Sequence, residues 1–282
     1  MQVTNSPRFE IIGHRGNPGN PLNSLNIENT VESFEDAWER GADGIELDVI
    51  LSKDKFLFVH HDDTLGRVFI MPGTKEQKLI GEYTSDELES GTELNENLTT
   101  NSHKPRAHIA MPHLSDIRIP KDKKLFLELK FLNDSYNKKS SGDEKYLKNI
   151  VEETIQFIEE VGLTNQTYVL CFVPEALDRV KELNPKIVTA HNVYQGEASD
   201  LQKIKQLQGD YGFDIINPPF EQATKGAIEN IHSVGLKTYP WIWKQSPQKE
   251  ISEVRRLMLD GAEGAITNQV AEALAATFQY HK

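Results

Sequence analysis

Cysteine is almost missing from this chain: Cys171 is the only one in 282 residues. No internal disulfide can form, so stability must come from a packed core, and a reducing, cytoplasmic setting is expected. The stretch from Met1 to Arg8 lacks the basic and apolar regions of a secretory leader. Nowhere does the sequence approach the roughly 18 uninterrupted apolar residues of a membrane span. Positive charge is short as well, with 31 Lys and Arg against 43 Asp and Glu and a net charge of -12. A field of that sign repels polynucleotides and anionic lipid surfaces, so neither is an expected partner, and a small molecule is.

Apolar residues make up 38% of the chain and charged residues 26%, which excludes wholesale disorder and leaves enough material for a sizeable core. Short apolar runs suited to buried strands fall at 9–13, 44–49, 125–131, 167–172, 186–190, 213–216, 236–243 and 264–267. Amphipathic stretches lie between them, among them 174–183 and 247–259, whose leading prolines suit a first helical turn. Eight such strands alternating with helices predict an α/β fold of the (β/α)8 TIM-barrel type, with residues 1–282 as one domain. Residues 62–112 break the rhythm, being irregular and rich in Gly, Thr, Asn and Glu. They read as a small insertion after the second strand that overhangs the barrel mouth. A second loop is expected at 133–143.

The chemistry-bearing residues gather at strand ends, where barrel enzymes keep their catalysts. His14-Arg15-Gly16 closes the first strand. It offers an imidazole, a guanidinium fork matched to phosphate or carboxylate oxygens, and a glycine that lets a ligand approach the backbone. In Gly44-Ile45-Glu46-Leu47-Asp48-Val49 a period of two puts both acids on one face of an apolar strand. Two buried carboxylates are costly unless a cation, hydrogen bonds or protonation offsets them, and a salt bridge from a neighbouring strand would also serve. Oxygen-only donors favour a hard ion, Mg²⁺ or Ca²⁺, with Mn²⁺ also suitable. The third strand repeats the device, with Glu128 and Lys130 sharing a face. Glu128 would complete a three-carboxylate site and Lys130 would hold an anionic substrate, whereas a Glu128–Lys130 pair is disfavoured because side chains two apart on a strand diverge. His60 and His61 end a further apolar run and point to opposite faces. His61, beside Asp62 and across the acids from His14, would make an acid and base pair for cleaving a phosphoester. His191, at another strand end, reads as an ordinary hydrogen-bonded residue.

Taken in order, His14-Arg15-Gly16, Glu28-Asn29-Thr30, Gly41-Ala42-Asp43-Gly44-Ile45-Glu46-Leu47-Asp48-Val49, His61-Asp62 with Thr64-Leu65-Gly66-Arg67, and Glu128-Leu129-Lys130 resemble the motifs of the glycerophosphodiester phosphodiesterase family. Pro112-His113-Leu114, Tyr239-Pro240-Trp241 and Gly261-Ala262-Glu263-Gly264-Ala265-Ile266-Thr267 extend the resemblance over nearly the whole chain. It implies a barrel with an insertion after the second strand, and metal-dependent hydrolysis of glycerophosphodiesters to glycerol 3-phosphate and an alcohol. His14 and His61 would be general acid and base. Glu46, Asp48 and Glu128 would bind the divalent cation, Mg²⁺ or Ca²⁺, with Glu28 close to it. Arg15 and Lys130 would grip the phosphate, and Trp241, Trp243 and Phe172 would shape the alcohol pocket. A phospholipase-C-like barrel releasing a cyclic phosphate, an enolate-stabilising barrel and a non-catalytic ligand-binding barrel are the alternatives. Asn29 reads as the N-cap of a helix over 30–38, with Glu32 three residues on.

Four departures from the family pattern stand out. Ile27 replaces a usual proline, and the 17–26 loop is long and Asn-rich. Trp241-Ile242-Trp243-Lys244 stands for a usual Trp-Thr-Val-Asn, and Asn268-Gln269-Val270 for Asp-Xaa-Pro, a change that reads as structural.

Overall fold

The computed structural model describes residues 8–19, 26–74, 78–95, 109–131, 141–194, 200–243 and 245–278. In chain order the strands are β1 (Glu10–His14), β2 (Gly44–Leu51), β3 (Leu57–Val59), β4 (Phe69–Ile70), β5 (Glu93–Leu94), β6 (Lys124–Leu129), β7 (Thr167–Cys171), β8 (Val188–Asn192), β9 (Ile215–Asn217), β10 (Trp241–Ile242) and β11 (Gly264–Thr267). The helices are α1 (Val31–Arg40), α2 (Ser85–Gly91), α3 (Ser141–Glu160), α4 (Pro174–Leu183), α5 (Leu201–Tyr211), α6 (Lys225–Ser233), α7 (Pro247–Asp260) and α8 (Val270–Phe278).

Eight strands pair in parallel in the order β10-β11-β1-β2-β6-β7-β8-β9. The ring closes between β9 and β10 through parallel bridges at Ile215–Lys237 and Pro219–Trp241. The eight runs read from the sequence are these strands, so the fold is the expected TIM barrel. The 236–243 run shortens to two ladder residues, because Pro240 has no N–H to give the ladder.

Alternation along each strand divides the core into two layers. Ile45, Leu47, Val49, Leu125, Leu127 and Val169 face the helices in the larger one, with Phe34 and Ala37 of α1 and Leu177 and Val180 of α4. Ile12, Phe126, Leu170, Ala190, Ile215, Tyr239 and Ile266 fill the barrel interior. α1 begins at Thr30, whose hydroxyl accepts from Ser33 N, and stops at Gly41 in the left-handed region. α7 has Ser246 as its cap and Pro247 in its first turn.

β3 turns back antiparallel on β2 and leads into the insertion. There, among the described residues, β4 and β5 form a two-stranded antiparallel ribbon and α2 starts with a Thr84–Glu87 capping box. Phe69, Ile80, Tyr83, Leu88 and Met111 pack on Ile50 and Phe58, fixing the insertion to the face of β2 that also carries Glu46 and Asp48, opposite the helix-facing Val49 and Leu51. The expected 133–143 loop lies largely outside the described residues, and α3 begins at Ser141.

Candidate active site

Strand register assembles the centre. β1 and β2 pair His14 with Glu46, and β2 and β6 pair Asp48 with Glu128. Parallel partners point to the same face, so three acids and one imidazole converge at the C-terminal end of the barrel interior. Ligand oxygens of Glu46, Asp48 and Glu128 all lie within 4.8 Å of one another, and all three residues are buried.

The turn after β1 is shaped to serve this cluster. Arg15 and Gly16 have φ of 54° and 90°, and a Cβ on Gly16 would lie 2.4 Å from Ser33 Oγ, so only glycine fits against α1. This conformation aims the Arg15 N–H at Glu46 Oε2, 2.9 Å away. The guanidinium donates to Glu28 Oε1 at 2.7 Å, and its Nε lies 3.3 Å from Asp48 Oδ2. Lys130 Nζ lies 2.8 Å from Glu128 Oε1 and 3.7 Å from Asp48 Oδ1. The Glu128–Lys130 pair disfavoured from the sequence therefore forms, because the flexible lysine stem folds back over the distance that separates i and i+2 on a strand.

Asp48 is held well below the usual carboxylate range: burial works against its charge, but Arg15, His61 and Lys130 outweigh it. Glu46 is pushed well above that range by burial and then by repulsion from Asp48 and Glu128, with Arg15 offsetting only part. The cluster thus holds more carboxyl groups than Arg15 and Lys130 can offset as carboxylates, and Glu46 is the one whose ionisation is resisted.

The two histidines have different surroundings. His14 Nδ1 is 2.5 Å from Asn268 Oδ1 and its Nε2 is 3.9 Å from Glu46 Oε2. Burial and the neighbouring Arg15 push its pKa down to about 4. His61 is half-buried, with Nδ1 2.8 Å from Asp62 Oδ1. Arg67 donates to both Asp62 oxygens, at 2.7 and 3.0 Å, and to Glu28 Oε1 at 2.7 Å. An unbroken polar chain therefore runs from His61 through Asp62, Arg67 and Glu28 to Arg15. Glu28 stands in these ion pairs and outside the group of three carboxylates. His60 is buried with Nε2 3.3 Å from Thr64 O, and His191 lies 3.2 Å from Cys171 O. Trp241 rests partly buried on the interior cluster, and its indole N–H has no hydrogen-bond partner among the described residues. The exposed Trp243 ring lies 6.4 Å from it, and Phe172 stacks on Tyr194 at 4.3 Å. Lys244 lies outside the described residues.

Four asparagines at the centre were not read as such from the sequence. Asn29 is not the helix cap, since Thr30 is. Held at φ 57°, Asn29 donates from Nδ2 to Asp48 Oδ2 at 2.7 Å and accepts from Asp48 N at 3.3 Å. Asn192 donates to Glu128 Oε2 at 3.0 Å and accepts from Asn217 Nδ2 at 3.3 Å. Asn268, read as structural, is the partner of His14.

A parallel barrel with buried acids, phosphate-matched cations and two histidines at its C-terminal mouth is a hydrolytic enzyme of the phosphodiesterase class. The chain belongs to the Glycerophosphoryl diester phosphodiesterase family, whose model matches residues 14–272. A glycerophosphodiester phosphodiesterase of Caldanaerobacter subterraneus subsp. tengcongensis is 26% identical over 261 residues, covering 92% of this chain and 93% of its own. A glycerophosphodiester phosphodiesterase of Parabacteroides distasonis shares the fold with a TM-score of 0.69 at 20% identity, over 98% of this chain and 100% of that one. A phosphodiesterase of Oleispira antarctica, solved in complex with the product sn-glycerol-3-phosphate, has a TM-score of 0.66 at 18% identity, over 95% and 96%. Among the described residues, no helix is long and apolar enough to cross a membrane.

Proposed function

We propose that this protein hydrolyses glycerophosphodiesters to glycerol 3-phosphate and a free alcohol by acid and base catalysis from two histidines beside a divalent cation. The observation that carries the reading is the buried trio Glu46, Asp48 and Glu128, whose oxygens approach within 4.8 Å of one another, with His14 Nε2 3.9 Å from Glu46 and His61 near enough to favour the charged Asp48. These residues fit a hard cation: all donors are oxygens, and Glu46, with Arg15 N and His14 Nε2 as its neighbours, has no Lys or Arg side chain paired with it among the described residues. Glu46, Asp48 and Glu128 would hold Mg²⁺ or Ca²⁺, which when bound would polarise a phosphoryl oxygen. Glu28, tied to Arg15, would border that position.

Arg15 and Lys130 neutralise and orient the phosphate, Arg15 with a planar fork and Lys130 with a mobile ammonium. One histidine removes a proton from the attacking hydroxyl while the other protonates the departing alkoxide. Each transfer is typically worth about 10²- to 10⁴-fold. Trp241 and Trp243 offer aromatic surface to the alcohol portion. The chain acts as one domain, 1–282, in the cytoplasm, a setting supported by its single, buried cysteine.

The test measures glycerol 3-phosphate release from glycerophosphocholine with Mg²⁺, Ca²⁺ or chelator, for the wild type, His14→Ala and His61→Ala. Cation-dependent release that either substitution lowers by about 10²- to 10⁴-fold is expected. Full turnover by either variant would overturn the acid and base assignment, and a cyclic phosphate as end product would overturn hydrolysis.

A further inference from the structure

Two imidazoles flank one cluster, but only His61 has a carboxylate on its Nδ1. His14 has a carboxamide there, Asn268, whose Oδ1 lies 2.5 Å from Nδ1. An amide oxygen carries no hydrogen, so Nδ1 must be the donor, and in a neutral imidazole the other nitrogen then keeps its lone pair. That nitrogen, Nε2, is the one turned toward the carboxylates, 3.9 Å from Glu46 Oε2.

The fold fixes Asn268 from several sides. It follows the β1–β11 ladder by one residue, Gly13 pairing with Thr267, so His14 and Asn268 are side by side. Its carbonyl accepts from Gly19 N at 2.9 Å. The next two residues are pinned too: Gln269 N donates to Thr267 Oγ1 at 3.0 Å and Val270 N to Asn17 Oδ1 at 3.0 Å. Beneath them the buried Glu250 receives Thr267 Oγ1 and, at 3.0 Å, Gln269 Nε2. This cross-braced turn fixes the backbone that carries the Asn268 carboxamide, and so holds that side chain beside the imidazole.

We propose that Asn268 is a positioning residue: it holds His14 as the Nδ1–H tautomer, with the Nε2 lone pair directed into the reaction centre. The inference rests on the phosphodiesterase reading for its kinetic part only. His14 then enters the reaction as a proton acceptor at Nε2, whereas His61 is tied to a negative charge through Asp62.

The test has two arms. In the first, ¹⁵N NMR of the full-length wild type with Mg²⁺, resonances assigned by His14→Gln, should show His14 protonated at Nδ1. In the second, Asn268→Leu removes the acceptor at similar volume, and Asn268→Asp keeps one. Asn268→Leu should lower kcat by about 10- to 1,000-fold with KM within about twofold, while Asn268→Asp restores kcat to within about tenfold of the wild type. Protonation of His14 at Nε2 in the wild type, or wild-type kcat in Asn268→Leu, would overturn the proposal. If Asn268→Leu does not fold, the wild-type tautomer decides alone. If no glycerophosphodiester is hydrolysed, the functional reading fails and the NMR arm still judges the tautomer.

Discussion

Both ends of the barrel hold carboxyl groups among aromatic and aliphatic side chains, half-buried at one end and buried at the other, and they solve the electrostatic problem differently. At the N-terminal end, Glu10 meets Lys124 Nζ at 2.6 and 2.5 Å and Tyr239 OH at 2.7 Å. The ammonium also lies 5.2 Å from the Tyr168 ring, which stacks on Phe126. One anion, one cation and one phenol satisfy each other, and nothing is left to bind. At the C-terminal end, Glu46, Asp48 and Glu128 share Arg15 and Lys130, and Glu46 is left as the group whose ionisation the site resists. Burial of acids does not mark function; acids in excess of the cations that reach them do.

The largest effects that separate the two ends are kinetic. His14→Ala or His61→Ala should lower kcat by about 10²- to 10⁴-fold while the thermal midpoint moves little, as steady-state assays and calorimetry would read. Next, Asn192→Leu should weaken cation affinity by about 10- to 100-fold, because Glu128 loses the donor that orients it; isothermal titration with Ca²⁺ measures this. The same titration should show affinity rising with pH, since cation binding expels the proton that the buried Glu46 retains beside Asp48 and Glu128. At the other end, Lys124→Met should cost about 0.5–1.5 kcal/mol of stability by leaving the half-buried Glu10 with Tyr239 OH alone, with kcat of the folded enzyme unchanged. A kcat loss in Lys124→Met would erase the contrast.

The smallest effect concerns Glu250, whose carboxyl burial raises to about 7, against hydrogen bonds from Thr267 and Gln269 that favour the charged form. A raised folded pKa means that the native state holds the proton longer than the unfolded chain does. The stability tied to that proton is full below about pH 4.5 and is lost as pH rises to about 7. Urea denaturation of Glu250→Gln across this range should lack that decline.

Much of the upper end was legible because acids at i and i+2 in an apolar strand have few readings, and register then brings Glu46, Asp48 and Glu128 together. The asparagines were not. Asn29 sits where a cap is common, and only its left-handed backbone turns its amide to Asp48. Asn192 meets Glu128 across 64 residues of sequence, a neighbour that the pairing of β6 and β8 to either side of β7 supplies. Nor did the insertion announce its ribbon, since strands of two residues, Phe69–Ile70 and Glu93–Leu94, are too short to carry a period. The Glu128–Lys130 pair was misjudged from strand geometry, which fixes Cβ directions but not where a four-carbon stem ends.

The central claim, that the C-terminal cluster is built for a cation it does not itself supply, is tested most directly by anomalous diffraction from crystals soaked in Mn²⁺. The account predicts a peak bounded by carboxylate oxygens of Glu46, Asp48 and Glu128, each about 2.0–2.6 Å away. With the three side chains in place, no peak there at saturating Mn²⁺, or occupancy only elsewhere on the molecule, would contradict it.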